Sequence, residues 1–394
     1  MSRRIFIAWE IGGGRGHVVH LAAVAQALAR RGFRNTAYLA HMEHAEELAP
    51  FCERVSQGPV PAYQPPSRAL HNPRYGEWLA SHHFDDSAVI RSQIERWRAL
   101  IDAERPVLVL AEQSPNAILA ARTLGLPVVQ VGVPATAPPP EMPFYPPSLS
   151  EEEEPLYSEA TLRDAINEAI GDYGLPPLSS LPEIYTCDDQ IVASIGLLDS
   201  YARWRRQRRV PPVTGEWRDP GERRREELFV YLSTFDRSDP VILTAVASAK
   251  VPTRVVVAAN LPIAVTAASW RGAIVEDRPL APGEIARSAR VLLHAGNHGM
   301  SCMGLRAGLP QVMLAGQIEH VFDGRAIAGA GAGLVVERNR WTVPNIRAAI
   351  EEAWENPAIA ARATSLAADL APEFEGDPGE LTAERVSAVL RQPD

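Results

Sequence analysis

The sequence predicts an α/β protein built from two nucleotide-fold domains that face each other across a cleft, and two stretches carry that prediction. The first is IFIAWEIGGGRGHVVHLAAVAQALARRGF, an apolar strand, the turn Gly12-Gly13-Gly14-Arg15-Gly16-His17, and an apolar-periodic helix closed by Gly32. The second is RVLLHAGNHGMSCMGLRAGLPQVMLAGQIEHVFDGRAIAGAGAGLVV, again a strand, a Gly/His-rich turn, a helix, a Gly-Leu-Pro step and another strand. One such unit in each half implies two domains, because open α/β sheets gather ligands where strand ends meet Gly-rich turns. A chain of 394 residues is long enough to bury a core in each.

In the first half, strand-like Ile5–Ala8, Thr36–Ala40, Val107–Ala111 and Gln190–Ser194 alternate with helix-like Val18–Arg31, His44–Phe51, Asp86–Ala103 and Thr161–Tyr173. AEQSPNAILAARTLGLPVVQVG adds a loop, a helix, a Gly turn and a further strand. This is βαβ grammar, so a parallel sheet covered by helices is expected. The passage GPVPAYQPPSRALHNPRYGEW reads as irregular, and Pro134 to Pro155 as either a disordered insertion or a loop draped over a site. Prolines, glycines and charges over Val210–Glu222 mark an interdomain linker, and the nearby arginines from Arg203 to Arg225 read as its solvated face. The second half restarts with strands at Phe229–Ser233, Arg254–Ala258, Ile274–Glu276, Val291–His294 and Gln311–Ala315, with helices near Asp239–Ala249, Asn345–Glu355, Ala358–Leu370 and Leu381–Arg391. The domains expected are 1–215 and 220–375, with 376–394 a terminal helix able to return to the first.

Composition narrows the function. A net charge of −9 argues against a nucleic-acid partner, which needs a concentrated positive face. Three cysteines without a CxxC pair fit a reducing cytoplasm. No run reaches the roughly 18 apolar residues of a membrane span. His17/His20, His41/His44 and His82-His83 lack a third ligand at convincing spacing, so no metal is expected.

Over Ile5–Ala40, Pro106–Val131 and Leu280–Val336 the chain resembles nucleotide-sugar-dependent glycosyltransferases with two facing Rossmann-like domains, the GT-B fold, in the branch of plant and bacterial natural-product enzymes. Gly16-His17 stands where the family has its catalytic base, within the Gly-rich turn of Gly13, Gly14 and Gly16. Glu112 stands at the family's acidic strand end. His294-Ala295-Gly296, Gly308-Leu309-Pro310 and Glu319-His320 stand at its HxG turn, G-V/L-P step and acid-glutamine pair. The glutamate that holds ribose in many plant members is absent, as is their base-stacking tryptophan.

The resemblance implies an inverting transfer of a sugar from a nucleoside diphosphate to a hydroxyl of an apolar or aromatic small molecule, with no further cofactor. His17 would be the base and Glu112 its orienting partner; a merely packed histidine and a helix-capping carboxylate are the alternatives. The diphosphate would sit on His294, Gly296, Asn297, His298, Gly299, Met300 and Ser301 at a helix N-terminus, with a satisfied core histidine the alternative for His294. Glu319 and His320 would hold the sugar, and Trp78, Phe144 and Tyr145 the acceptor wall. The nucleotide, UDP or dTDP, stays open, and a homodimer is compatible with the sequence. Two other functions fit the same fold: a sugar-nucleotide 2-epimerase and a non-catalytic nucleotide-binding partner protein.

Overall fold

Short apolar runs become parallel strands, the central ones buried on both faces. In the computed structural model, which describes residues 3–67, 74–147, 153–215, 217, 221–232, 239–257, 272–276 and 278–391, they form two sheets. The first holds β1 (Arg4–Trp9), β2 (Arg34–Leu39), β3 (Arg54–Gln57), β4 (Leu108–Glu112), β5 (Val128–Gly132) and β6 (Asp189–Val192). The second holds β7 (Glu227–Leu232), β8 (Thr253–Val257), β9 (Ile274–Glu276), β10 (Ala289–His294), β11 (Gln311–Ala315) and β12 (Gly333–Glu337).

The strand orders are β3-β2-β1-β4-β5-β6 and β12-β11-β10-β7-β8-β9. Counted from the first strand of each sheet, both are the doubly wound order of nucleotide-binding folds. The order reverses between β1 and β4 and between β7 and β10, and such folds open their ligand crevices at the C-terminal ends of those strands. Glu112 ends β4 and His294 ends β10.

Described residues up to Ser194, Asp199–Val213 and those from Gly376 onward form one compact unit; Ile195–Leu198 and the described residues of Thr214–Glu375 form the other. The helix Pro378–Val389 lies along Arg15–Arg30, burying Ala383 and Val386 with Leu21, Val24 and Leu28. Arg385 fastens it, donating through Nε to Asp189 at 2.8 Å and through a terminal nitrogen to the Arg208 carbonyl at 2.7 Å.

Two readings of the sequence are corrected. The passage expected to be irregular contains a helix, Tyr75–Ala80: the Arg74 N–H donates to Glu77 Oε2 at 2.6 Å, and Tyr75 is buried beneath. Nor are the arginines after Arg203 all solvated. Arg205 is enclosed, donating to Asp199 at 2.7 Å and to Gln190 at 2.5 Å. The expected strand ends Ser233 and Ala258, with parts of the proline-rich passages and the linker, lie outside the described residues.

Candidate functional site

In the first unit the site begins at the ends of two neighbouring strands. Trp9 and Glu112 are register partners on β1 and β4. After Trp9 the chain turns back sharply, and at Gly12, where φ is 97°, a Cβ would fall 2.6 Å from Gln113 Oε1 and 3.1 Å from His17 Nε2, so only glycine fits. The turn delivers His17 to the first turn of the helix Arg15–Arg30. There Nδ1 stands 2.8 Å from Glu112 Oε2, with 15% of the histidine side chain and 2% of the glutamate side chain exposed. A carboxylate accepts from Nδ1–H, so the lone pair of the neutral ring resides on Nε2. The imidazole also stacks on Trp9, with centroids 4.8 Å apart and planes at 19°. Gly14 and Gly16 border open space.

Beside this dyad lies an aromatic group. The hydroxyls of Tyr75 and Tyr185 are 2.6 Å apart, and the Tyr75 ring meets Trp78 at 5.4 Å and Tyr145 at 5.1 Å. Tyr75 also hydrogen-bonds Gln113, which follows Glu112 in a left-handed conformation. Of the expected acceptor wall, Trp78 and Tyr145 are thus brought together through Tyr75, whereas Phe144 is 46% exposed. The Tyr145 hydroxyl is buried without a partner among the described residues. Behind the dyad, Glu10 is fully buried and accepts from the Asn116 N–H at 2.9 Å and from its side-chain amide at 2.5 Å. Burial pushes its carboxyl up to about 7. Trp9, Glu10, Tyr75 and Gln113 were not singled out from the sequence for a role, although Trp9-Glu10 interrupts an otherwise apolar run there.

In the second unit the residues of the expected diphosphate set are placed differently from one another. His294 is fully buried: Nδ1 accepts from the Gly296 N–H at 3.1 Å and Nε2 meets Gln311 Oε1 at 2.9 Å. Burial pushes its pKa down to about 4, so the ring is neutral and holds the turn. His298 also turns inward, with Nδ1 2.9 Å from Asp323 Oδ2 and Nε2 3.5 Å from Cys302. Burial acts to lower its pKa, but Cys302 and Asp323 prevail and hold it well above the usual histidine range.

What remains is the start of the helix His298–Ala307. Its first-turn amides include those of Gly299 and Met300, while the amide of His298 donates to Glu319 at 3.2 Å. Around this turn Asn297 Oδ1, Ser301 Oγ and His320 Nδ1 are buried with no partner among the described residues. His320, pushed down to about 4 by burial and then by His294, is a neutral ring. Gly296, at φ 97°, lets the turn pass against His320, where a Cβ would lie 3.0 Å from its Cα. Buried polar atoms without partners are costly in a folded protein, so this group is suited to a polar ligand.

Among the described residues one group could bring three ligand atoms to a metal, His44, Glu46 and Glu47; Glu47 is already paired with Arg15 at 2.6 Å. No described helix is long and apolar enough to cross a membrane.

Residues 274–386 match the family model of the erythromycin biosynthesis protein CIII-like C-terminal domain. No curated protein matches the chain. Among solved structures, the calicheamicin glycosyltransferase CalG4 aligns at 20% identity over 99% of this chain and 98% of its own, with a TM-score of 0.68. Spinosyn rhamnosyltransferase SpnG aligns at 16% over 99% and 100%, TM-score 0.66, and the glycosyltransferase SnogD from Streptomyces nogalater at 16% over 99% and 100%, TM-score 0.65. The chain therefore has the GT-B fold of natural-product glycosyltransferases.

Proposed function

We propose that this chain is a glycosyltransferase that moves a sugar, with inversion, from a nucleoside diphosphate to a hydroxyl of an apolar or aromatic small molecule. The observation that carries the reading is the 2.8 Å contact of His17 Nδ1 with Glu112 Oε2 at the strand-order reversal of the first unit. As the acceptor oxygen attacks the anomeric carbon, its proton passes to His17 Nε2. The bond from that carbon to the diphosphate oxygen breaks, the diphosphate leaves with the electron pair, and the configuration inverts. Glu112 steadies the imidazolium that forms.

The donor belongs to the unit around 220–375. Amides of Gly299 and Met300, Ser301 Oγ and His320 Nδ1 would meet the diphosphate, and the helix N-terminus would offset its charge without a cation. Glu319 would accept from sugar hydroxyls. SpnG has been solved with thymidine diphosphate and with spinosyn aglycone, which favours a thymidine nucleotide and an apolar aglycone here. The buried tyrosines and Trp78 support an aromatic acceptor face.

Thermal shift with dTDP, UDP and GDP identifies the nucleotide, since a ligand that prefers the folded state raises its Tm. Product analysis with and without a phenolic acceptor, in the presence of EDTA, then tests the reaction. Glycoside formation that survives the chelator supports the proposal. Conversion of the nucleotide sugar without an acceptor would make the protein an epimerase, and nucleotide binding with no conversion would make it a binding partner.

A further inference from the structure

We infer that Trp9 is a positioning residue for the imidazole of His17, holding its face while Glu112 holds its edge. This rests on the proposal that His17 is the base. The geometry is specific. Trp9 and Glu112 stand side by side at the ends of β1 and β4, as register partners. His17 meets both: one ring nitrogen is 2.8 Å from the carboxylate, and the ring plane lies 19° from the indole plane at a centroid distance of 4.8 Å.

The carboxylate contact alone leaves the imidazole able to swing about the Nδ1 to Oε2 line. A near-parallel ring beneath it removes that freedom. The indole is itself fixed, because its Nε1–H donates to the Ile11 carbonyl at 2.7 Å and its ring is 1% exposed. That bond also ties the platform to the start of the Gly-rich turn, so turn, platform and base move together.

The stack has an electrostatic side. An indole face attracts a cation, so it favours the imidazolium formed once the acceptor proton has arrived. The other titratable groups near this ring are placed as follows. Glu112 faces it from β4. His41 meets the indole edge-on at 5.8 Å. Glu10, next to Trp9, is held by Asn116. Tyr75 reaches the site through Gln113. On the helix of His17 itself, Arg15 is paired with Glu47 and His20 is buried. Trp9 is thus the aromatic face that meets the His17 ring.

The test compares the full chain with Trp9→Phe and Trp9→Leu. The His17 imidazole is followed through pH by NMR, assigned with His17→Gln, beside kcat and KM on the same acceptor. Loss of the indole should lower the pKa of His17 by about half to one unit in Trp9→Leu, with Trp9→Phe between. The acidic limb of the kcat profile should move to lower pH by the same amount. In Trp9→Leu kcat should fall roughly tenfold with the acceptor KM unchanged. A purely structural Trp9 would lower Tm and leave both the titration and the limb in place, and that result overturns the inference. Should Trp9→Leu fail to melt cooperatively, an unmoved His17 titration in Trp9→Phe overturns it, and a lowered one supports it. A shifted titration in a protein that transfers no sugar would sink the proposed function and leave the placement of Trp9 standing.

Discussion

At His17 the deciding fact is which nitrogen is committed. With Nδ1 on Glu112, the proposed proton transfer would fall to Nε2, with the proposed base and its orienting acid acting as one unit. His17→Ala should therefore lower kcat by about 10²- to 10⁴-fold while dTDP affinity, read by titration calorimetry, stays within about twofold. Glu112→Gln should give a milder loss of kcat, since an amide oxygen can still accept from Nδ1–H but brings no charge to the imidazolium. Collapse of donor binding in His17→Ala with turnover intact would show that the Gly-rich turn is a donor site. His294 illustrates the opposite case. Its residue type and position on a strand end resemble those of a ligand, yet both nitrogens are satisfied within the fold. Its removal should act through the Gly296 turn and through stability, leaving Gln311 without its partner.

Among the elements, the central strands were legible because a strand covered by helices on both faces reads as a continuous apolar run. β3 escaped notice because Arg54 and Gln57 are exposed at the sheet edge and leave no such run. The helix Tyr75–Ala80 was hidden by the prolines before it, its start being specified by Glu77 reaching back to the Arg74 N–H. The pairing of His17 with Glu112 was legible as a candidate, since the sequence places Glu112 at the C-terminal end of a parallel strand and His17 at a Gly-rich turn after another, where such folds gather their functional groups. The inward turn of His298 was not, because Asp323 comes from a helix 25 residues further along the chain. The turn proposed to hold the donor gives an element-scale test. At φ 97° and against the His320 backbone, Gly296→Ala must both strain and shift the turn. The dissociation constant for the nucleoside diphosphate should rise at least tenfold, while the NMR titration of His17 in the first unit is unchanged. Wild-type nucleotide affinity in Gly296→Ala would place the diphosphate elsewhere.

Across the whole molecule the two units carry opposite responses to pH. In the second, His294 and His320 are held neutral by burial at about 4, against an ordinary 6.5. A depressed pKa contributes stability that is present above 6.5 and lost as pH falls toward 4, roughly 3 kcal/mol for each ring at the limit. His298 is raised instead, so its contribution is whole below 6.5 and fades as pH rises. In the first unit, burial raises Glu10 to about 7 from 4.5. Its contribution is complete below 4.5 and lost as pH climbs through 7. Glu77 and Glu159, raised by burial, act in the same sense, and His82, lowered by burial, opposes them. At the alkaline end the buried phenols of Tyr75, Tyr145, Tyr185 and Tyr201 resist ionisation, so the first unit loses stability above about pH 10. Calorimetry of the full chain should therefore show the second unit melting progressively earlier as pH drops from 7 to 5, while the first melts later as Glu10 takes up its proton. Limited proteolysis at pH 5 should cut first within residues 214–375. Glu10→Gln should raise the melting temperature of the first unit at pH 8 and leave it almost unchanged at pH 4.5, since only the ionised carboxylate is costly to bury. A single transition that shifts uniformly with pH would mean that the two cores unfold as one.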